Sequence, residues 1–351
     1  MADTELAGAG PPTGAGHPAA AGTAAEPEGG PSARSGPAAA AGPPDQETGP
    51  PDQETGQATP PAGSAEAILE KSVLRGVGVG LLLLALVVLG FAAYLYGLSG
   101  VQEARAQTVL YQRLQTELAQ VQGIVPPVGP TTTVNGHTVT TAPGSPVAIL
   151  DIPRIGMRDM VVVQGTSPEN LRAGPGHRPD TPFPGQPGVA QIYGRRATFG
   201  APFGRIGELR AGDTIKAVTG QGSFTYRVAA VADSTKTIED PAPNRLILLT
   251  ASSPVIPTYY VEVDADLISR VQASPGVAPS ITSPEQPMAG DGGALVLTMM
   301  WALALALVSV GGTVAAVRWS PWVAYLMTVP LVLAVLLNLY QNLAVLLPNL
   351  Y

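Results

Sequence analysis

The chain has no cysteine among its 351 residues. That absence excludes disulfides, thiolate-held zinc, iron–sulfur clusters and every mechanism that attacks through a thiolate. Charge is scarce as well, at 13% of residues, and the formal net charge of -7 is unevenly placed. Residues 1–70 hold ten acidic side chains and one arginine, which leaves the remainder slightly basic. A nearly neutral folded part lacks the field that attracts a polyanion, so nucleic acid is not an expected partner. Histidine is limited to His17, His137 and His177, which narrows the choice of any general base.

What is abundant divides the chain into zones. Residues 1–63 are built from Ala, Gly, Pro, Glu, Asp and Thr with almost no large apolar side chain. Such a segment cannot bury enough surface to offset its ordering entropy, and a disordered acidic tail is expected over 1–70. Within it PPDQETG occurs at 43–49 and again at 50–56. The Pro-Pro in each copy blocks a helix, so the repeat reads as a low-complexity duplication.

The run GVGVGLLLLALVVLGFAAYLYGL (76–98) carries no charge and exceeds the roughly 20 residues a helix needs to cross a bilayer. Its distance from the start of the chain and its length argue against a cleaved signal peptide. Lys71 and Arg75 precede it, and Tyr94 and Tyr96 lie near its far end, which places the preceding segment inside; Arg105 and Arg113 on the far side weaken that bias. Leu110, Leu114, Leu118 and Val121 then recur at helical spacing, predicting an amphipathic stalk over 100–122 that pairs with another copy or lies on the membrane. Residues 123–146, with Pro126, Pro127 and Pro130, read as a linker. Near the other end, 271–292 is a second linker and apolar runs at 294–317 and 323–347 predict a membrane hairpin. Arg318 in its tight connection fits a cytoplasmic turn, with 100–290 outside. Trp301, Trp319 and Trp322 read as interface anchors, Pro330 as a kink, and Asn338, Gln341 and Asn342 as partners of a neighbouring helix or as interfacial residues.

Between these membrane zones, residues 147–270 change to period-two patterns punctuated by Gly and Pro. Phe224, Tyr226 and Val228 alternate with Thr225 and Arg227; Tyr259, Val261, Val263, Ala265 and Leu267 alternate with Glu262, Asp264 and Asp266. Further strands are expected at 147–152, 161–163, 189–193, 213–218 and 245–250, giving an all-β barrel or sandwich of about seven or eight strands. Ser167 before Pro168 marks one short helix over 168–173. Same-face carboxylates two residues apart on a strand are about 7 Å from one another, so Glu262, Asp264 and Asp266 read as a solvated face and no metal site is expected. The glycines at 174, 176, 220 and 222 lack the strand–glycine–helix order of a phosphate loop, and no cofactor is implied.

Several blocks in this zone, ILDIPRIGM (149–157), VVVQGTSPENLRAGPGHRPDTPFPGQPG (161–188), YGRRATFGAPF (193–203), LRAGDTI (209–215) and LILLTASSP (246–254), together resemble a sortase domain of the class E/D-like actinobacterial type. The resemblance covers about 120 residues in order. It implies an eight-stranded β-barrel, and a family of cysteine transpeptidases of Gram-positive cell surfaces that cleave a C-terminal sorting signal and join the protein to the cell wall or a pilin. The family's blocks AGHR, LTTC and a following strand Arg supply a catalytic His, a nucleophilic Cys and an oxyanion-stabilising Arg. Here the matching stretches read Tyr193-Gly194-Arg195-Arg196, Leu249-Thr250-Ala251-Ser252 and Pro257-Thr258-Tyr259-Tyr260, so Arg195, Ser252 and Tyr259 stand at the three positions.

A serine hydroxyl needs an adjacent base, unlike a thiol. Arg195 stays protonated and cannot serve, and His177 lies in a block that the family uses structurally. The expectation is therefore a membrane-anchored, catalytically inactive sortase-like protein whose extracellular barrel binds a cell-envelope protein or peptide. Arg195, Arg196 and Ser252 would lie in its groove, the arginines holding an acidic group; alternatively both arginines are solvated or paired with local carboxylates. Two rival readings are a transpeptidase or hydrolase using Ser252, and a membrane-complex subunit acting through the C-terminal hairpin.

Overall fold

The computed structural model describes residues 62–119, 127–134, 137–233, 242–278, 280–319 and 321–351. The tail and its duplication at 43–56 lie outside the described residues, as does Val121. Helix α1 (Ala62–Ala93) begins before the apolar run, so residues 62–70, expected within the disordered tail, are helical. A π-helical turn (Tyr94–Leu98) joins it to α2 (Ser99–Leu118). Helices α3 (Ala294–Arg318) and α4 (Pro321–Leu346) form the hairpin, with Pro330 inside α4. These give three helices long and apolar enough to cross a membrane. The Asn338 and Asn342 amides bond to carbonyls of α4 itself, at Ala334 and Asn338. The bond between spans comes from Tyr340, whose hydroxyl donates to Val87 O at 2.9 Å. Gly90 permits this approach, since a Cβ there would meet the Tyr340 oxygen at 2.6 Å.

Residues 131–140, expected as linker, contain a hairpin of β1 (Thr131–Val134) and β2 (His137–Thr140). The strands β3 (Pro146–Ile152), β4 (Met157–Gln164), β5 (Gly176–His177), β6 (Val189–Tyr193), β7 (Thr214–Thr219), β8 (Gly222–Asp233), β9 (Arg245–Ala251) and β10 (Tyr260–Leu267) close into an eight-stranded barrel in the order β10-β8-β7-β3-β4-β5-β6-β9. Neighbours are antiparallel except β4–β5 and β6–β9. The expected short helix at 168–173 is a single 3-10 turn, Asn170–Arg172.

A barrel of this size is filled by its own side chains. Leu150, Ile152, Ile192, Phe203, Ile215, Tyr226, Leu246, Leu248 and Val263 form that interior. Strands β3, β9 and the second half of β4 depart from clean alternation because their outer faces are covered too. On β3, PVAILDI is buried almost throughout, since Leu114 of α2 packs on Ile149 and Val161, with Leu110, Leu118 and Val218 beside them. The Gln107 amide adds bonds to Val161 N–H and to the carbonyls of Val161 and Ala173. The predicted stalk is therefore docked on the barrel through its apolar face, and that burial satisfies the periodicity that suggested a second copy or the membrane surface.

The same reasoning corrects the acidic face. Asp264 is buried, with its carboxylate 3.3 Å from Arg245 Nη1, although the two are not aligned as a hydrogen bond. Burial raises the pKa of Asp264 and Glu262 against the opposing pull of Arg245. The segment after β10 is likewise attached: Gln272, Ala278 and Glu285 bond to Gly185, Pro179 and Thr166.

Candidate functional site

Strands β6 and β9 run parallel with Tyr193 opposite Leu249, so the stretches that follow them emerge at one end of the barrel. The Gly194 N–H donates to Leu249 O, and the Thr250 hydroxyl donates back to Gly194 O at 2.9 Å. This cross-link brings Arg195 and Arg196 to the same end as Ser252. The loop after β9 is closed by two bonds: Ser252 N–H to Tyr259 O at 2.9 Å, and Tyr259 N–H to Ser252 Oγ at 3.4 Å. The Tyr259 side chain itself is exposed. Among the described residues the side-chain bond of Ser252 is the one accepted from Tyr259 N–H, which supplies no base.

Arg195 is completely buried. Its guanidinium donates to Leu171 O (3.2 Å), Pro168 O (2.8 Å) and Thr198 Oγ1 (3.3 Å), and it stacks 4.7 Å from the centre of the Phe199 ring. Burial first, then the field of Arg172, lowers its pKa to about 9, so it remains a cation at neutral pH. A cation in so enclosed a position is held by carbonyl dipoles and an aromatic face, without a carboxylate among these partners. The expected contact of Arg195 with an acidic ligand, and the alternative of a solvated or carboxylate-paired arginine, both differ from this arrangement. The physical reason is that the turn at 168–172 and the loop at 198–201 close over the side chain.

That loop is unusual in its backbone. Phe199, Gly200 and Ala201 all have positive φ, of 50°, 74° and 49°, a sparsely populated conformation for Phe and Ala. It is pinned from the membrane side: Phe199 N–H donates to Ser99 Oγ at 2.9 Å, and the ring meets Tyr94 edge-on at 6.3 Å. Phe199 thus lies between Arg195 and the end of the first span.

Arg196 is half-buried, and its Nη1 is a buried atom without a hydrogen-bond partner among the described residues. Its main-chain N–H donates to Leu350 O at 3.0 Å, which reveals an occupant absent from the expected site. Leu350 is wholly buried against Leu171, Tyr193, Ile247, Leu249 and Ala251. These are the outward residues of β6 and β9 plus the 3-10 turn, with Val189, Tyr260 and Met288 at the edge. Asn349, also wholly buried, uses its amide to bond Thr166 O (2.8 Å) and Gln286 O (2.9 Å), and its N–H to bond Ala289 O (2.8 Å). The main-chain oxygen of Tyr351 accepts from Thr198 Oγ1 at 2.8 Å, and its hydroxyl pairs with that of Tyr96. Thr198 therefore links Arg195 to the bound segment.

His177 lies away from this groove. It is opposite Ile192, shares the interior with Phe183 edge-on at 4.9 Å, and has Nδ1 3.1 Å from Gln164 Oε1 and Nε2 2.9 Å from Pro182 O, to one of which the neutral ring donates. Burial lowers its pKa to about 4, which keeps it neutral. Thr198, Phe199 and residues 349–351 were not among the sequence candidates. One signal was available: LILLTA is apolar at successive positions, which requires cover on both faces of β9.

Residues 150–259 match the Sortase domain family, and all four candidate positions lie inside that stretch. Sortase D of Bacillus subtilis (strain 168) is 35% identical over 85 residues, which are 24% of this chain and 41% of that protein. The match thus spans less than half of that relative. Among solved structures, sortase E from Streptomyces avermitilis is 31% identical, covering 37% of this chain and 91% of that one with a TM-score of 0.32. The sortase D5 transpeptidase of Clostridium perfringens is 25% identical, covering 36% and 82%, also at 0.32. Residues 150–259, which make up most of the barrel, thus form a sortase-type domain within the chain.

Proposed function

We infer that this is a membrane-anchored sortase-family protein that does not catalyse transpeptidation and instead uses the groove on β6 and β9 to bind an extended peptide of the cell envelope. The single observation that carries the reading is the state of Arg195: the residue at the family's histidine position is a buried cation whose three bonds hold the groove wall together. A group in that role cannot accept a proton. The chain also has no thiol, and among the described residues the hydroxyl of Ser252 is engaged by a main-chain N–H. The remaining chemistry of the groove is that of a receptor: apolar pockets for alternate side chains and main-chain groups for a strand-like ligand.

The charge pattern around the spans orients the molecule with the residues before α1 inside, the barrel outside and Arg318 inside. The purified full chain, incubated with sorting-signal peptides that an active sortase processes, is expected to show no cleavage or transfer. Turnover that disappears in Ser252→Ala would defeat this reading and favour a serine enzyme. Because the chain lacks cysteine, single cysteines test the orientation: a membrane-impermeant maleimide should label position 256, where Ile256 is exposed, and spare position 35 in intact cells.

A further inference from the structure

We propose that the β6–β9 groove recognises an extended peptide with a carboxamide side chain followed by a branched aliphatic one, and that its resident ligand is this chain's own Asn349-Leu350-Tyr351 segment. This rests on the groove being a peptide receptor, and adds what it recognises and what already fills it. The segment follows α4 directly, so the membrane hairpin delivers it to the barrel. Its contacts have the form of recognition by position. The Asn349 amide nitrogen donates to carbonyls of two segments, Thr166 on one and Pro284 and Gln286 on the other, while its Oδ1 is buried without a partner among the described residues. Leu350 fills an apolar pocket from which water is excluded. The main-chain oxygens of residues 350 and 351 accept from Arg196 N–H and Thr198 Oγ1.

The discrimination follows from elementary chemistry. An aspartate in place of Asn349 would present a carboxylate to these carbonyl oxygens, which repel it and leave a charge buried. A charged residue in place of Leu350 would be desolvated without a partner. A tethered ligand has an effective concentration on the order of millimolar, so an external peptide must displace the segment before it binds. Occupancy of the groove by a partner is thereby linked to release of the end of α4.

The full chain in detergent or nanodiscs tests this with an introduced thiol. Ala251 is wholly buried beneath the segment's pocket, so Ala251→Cys should react slowly with a maleimide. Adding Leu350→Asp should accelerate labelling by roughly tenfold or more, the factor equivalent to about 1.4 kcal/mol. A synthetic Pro-Asn-Leu-Tyr peptide at about 1 mM should restore protection, while Pro-Asp-Leu-Tyr should not. Ala190→Cys, inside the barrel, should stay protected in the same Leu350→Asp background, which shows that the barrel remains folded; if it does not, Leu350→Ala replaces the aspartate. Unchanged labelling at position 251 overturns the assignment of the occupant. Accelerated labelling that neither peptide reverses overturns the recognition, and makes the segment a packing strut. Cleavage of a sorting-signal peptide would instead defeat the non-catalytic reading and leave the occupancy result standing.

Discussion

The interior of the barrel and the groove on its outer face are both dry, apolar clusters, yet they are assembled differently. The interior draws most of its residues from strands between positions 147 and 265, alternate positions of which point inward. The groove takes its floor from β6 and β9, its wall from Leu171 and its filling from Leu350, about a hundred residues beyond β9. Equal burial therefore conceals unequal commitment. The interior cannot open without dismantling the sheet, whereas the groove opens if one segment at the end of α4 withdraws. Local opening of this kind draws on the low-stability end of a structure, which is where binding sites are found.

The largest expected effect sharpens that contrast. Leu150→Ala removes a wholly buried interior side chain and should lower unfolding free energy by roughly 3–5 kcal/mol, whereas Leu350→Ala should fall near the lower limit of about 2 kcal/mol because the opened groove admits water. Denaturant melts of the full chain compare the two. Equal losses would mean that the groove is an integral part of the core.

A somewhat smaller effect concerns pH. His177 has its pKa lowered to about 4 by burial, so the folded state disfavours its protonation. Its contribution is fully present above the unfolded value near 6.5 and is lost as pH falls through the interval from 6.5 to 4, amounting to about 3 kcal/mol. Melting temperatures recorded across this interval should fall less steeply in His177→Gln. An unchanged slope would show that another group governs acid stability.

Next in size is Arg195→Ala, which leaves buried acceptors at Pro168, Leu171 and Thr198. It should cost roughly 2–3 kcal/mol, with Arg195→Met costing less because volume is retained and no charge is buried. A melting temperature unaffected by the alanine would contradict a structural guanidinium. The smallest effect belongs to Ser252→Ala, a half-buried hydroxyl with one long hydrogen bond; a change of less than about 0.5 kcal/mol is expected.

Much of the architecture was legible because its signals are local. Charge-free runs longer than a bilayer is thick marked the three spans, and period-two alternation located β8 and β10. The blocks around Ile149–Ile152 and Leu246–Thr250 carried the family resemblance that counted the barrel strands. The two-residue β5 escaped, since no periodicity can be read over Gly176 and His177. The β1–β2 hairpin escaped because its Thr-rich strands resemble a linker. Within the site, Arg195 and Ser252 were found by position, but their environments were not. An arginine at a surface-loop position reads as solvated, and nothing near it in sequence announces that Pro168, Leu171 and Phe199 enclose it.

The sequence alone therefore determined the composition of the layers: which runs suit lipid, which strands have an apolar face, and that no thiol exists. These follow from side-chain chemistry and from periods of 2 and 3.6 residues, which are properties of a few neighbouring positions. Only the tertiary structure decided that α2 is docked on β3 and β4, that Arg195 is sealed, and that Asn349 and Leu350 fill the groove. Each depends on contacts between residues separated by tens to hundreds of positions. Burial of one apolar face specifies that a partner is needed, and the closed path of the whole chain specifies which partner arrives.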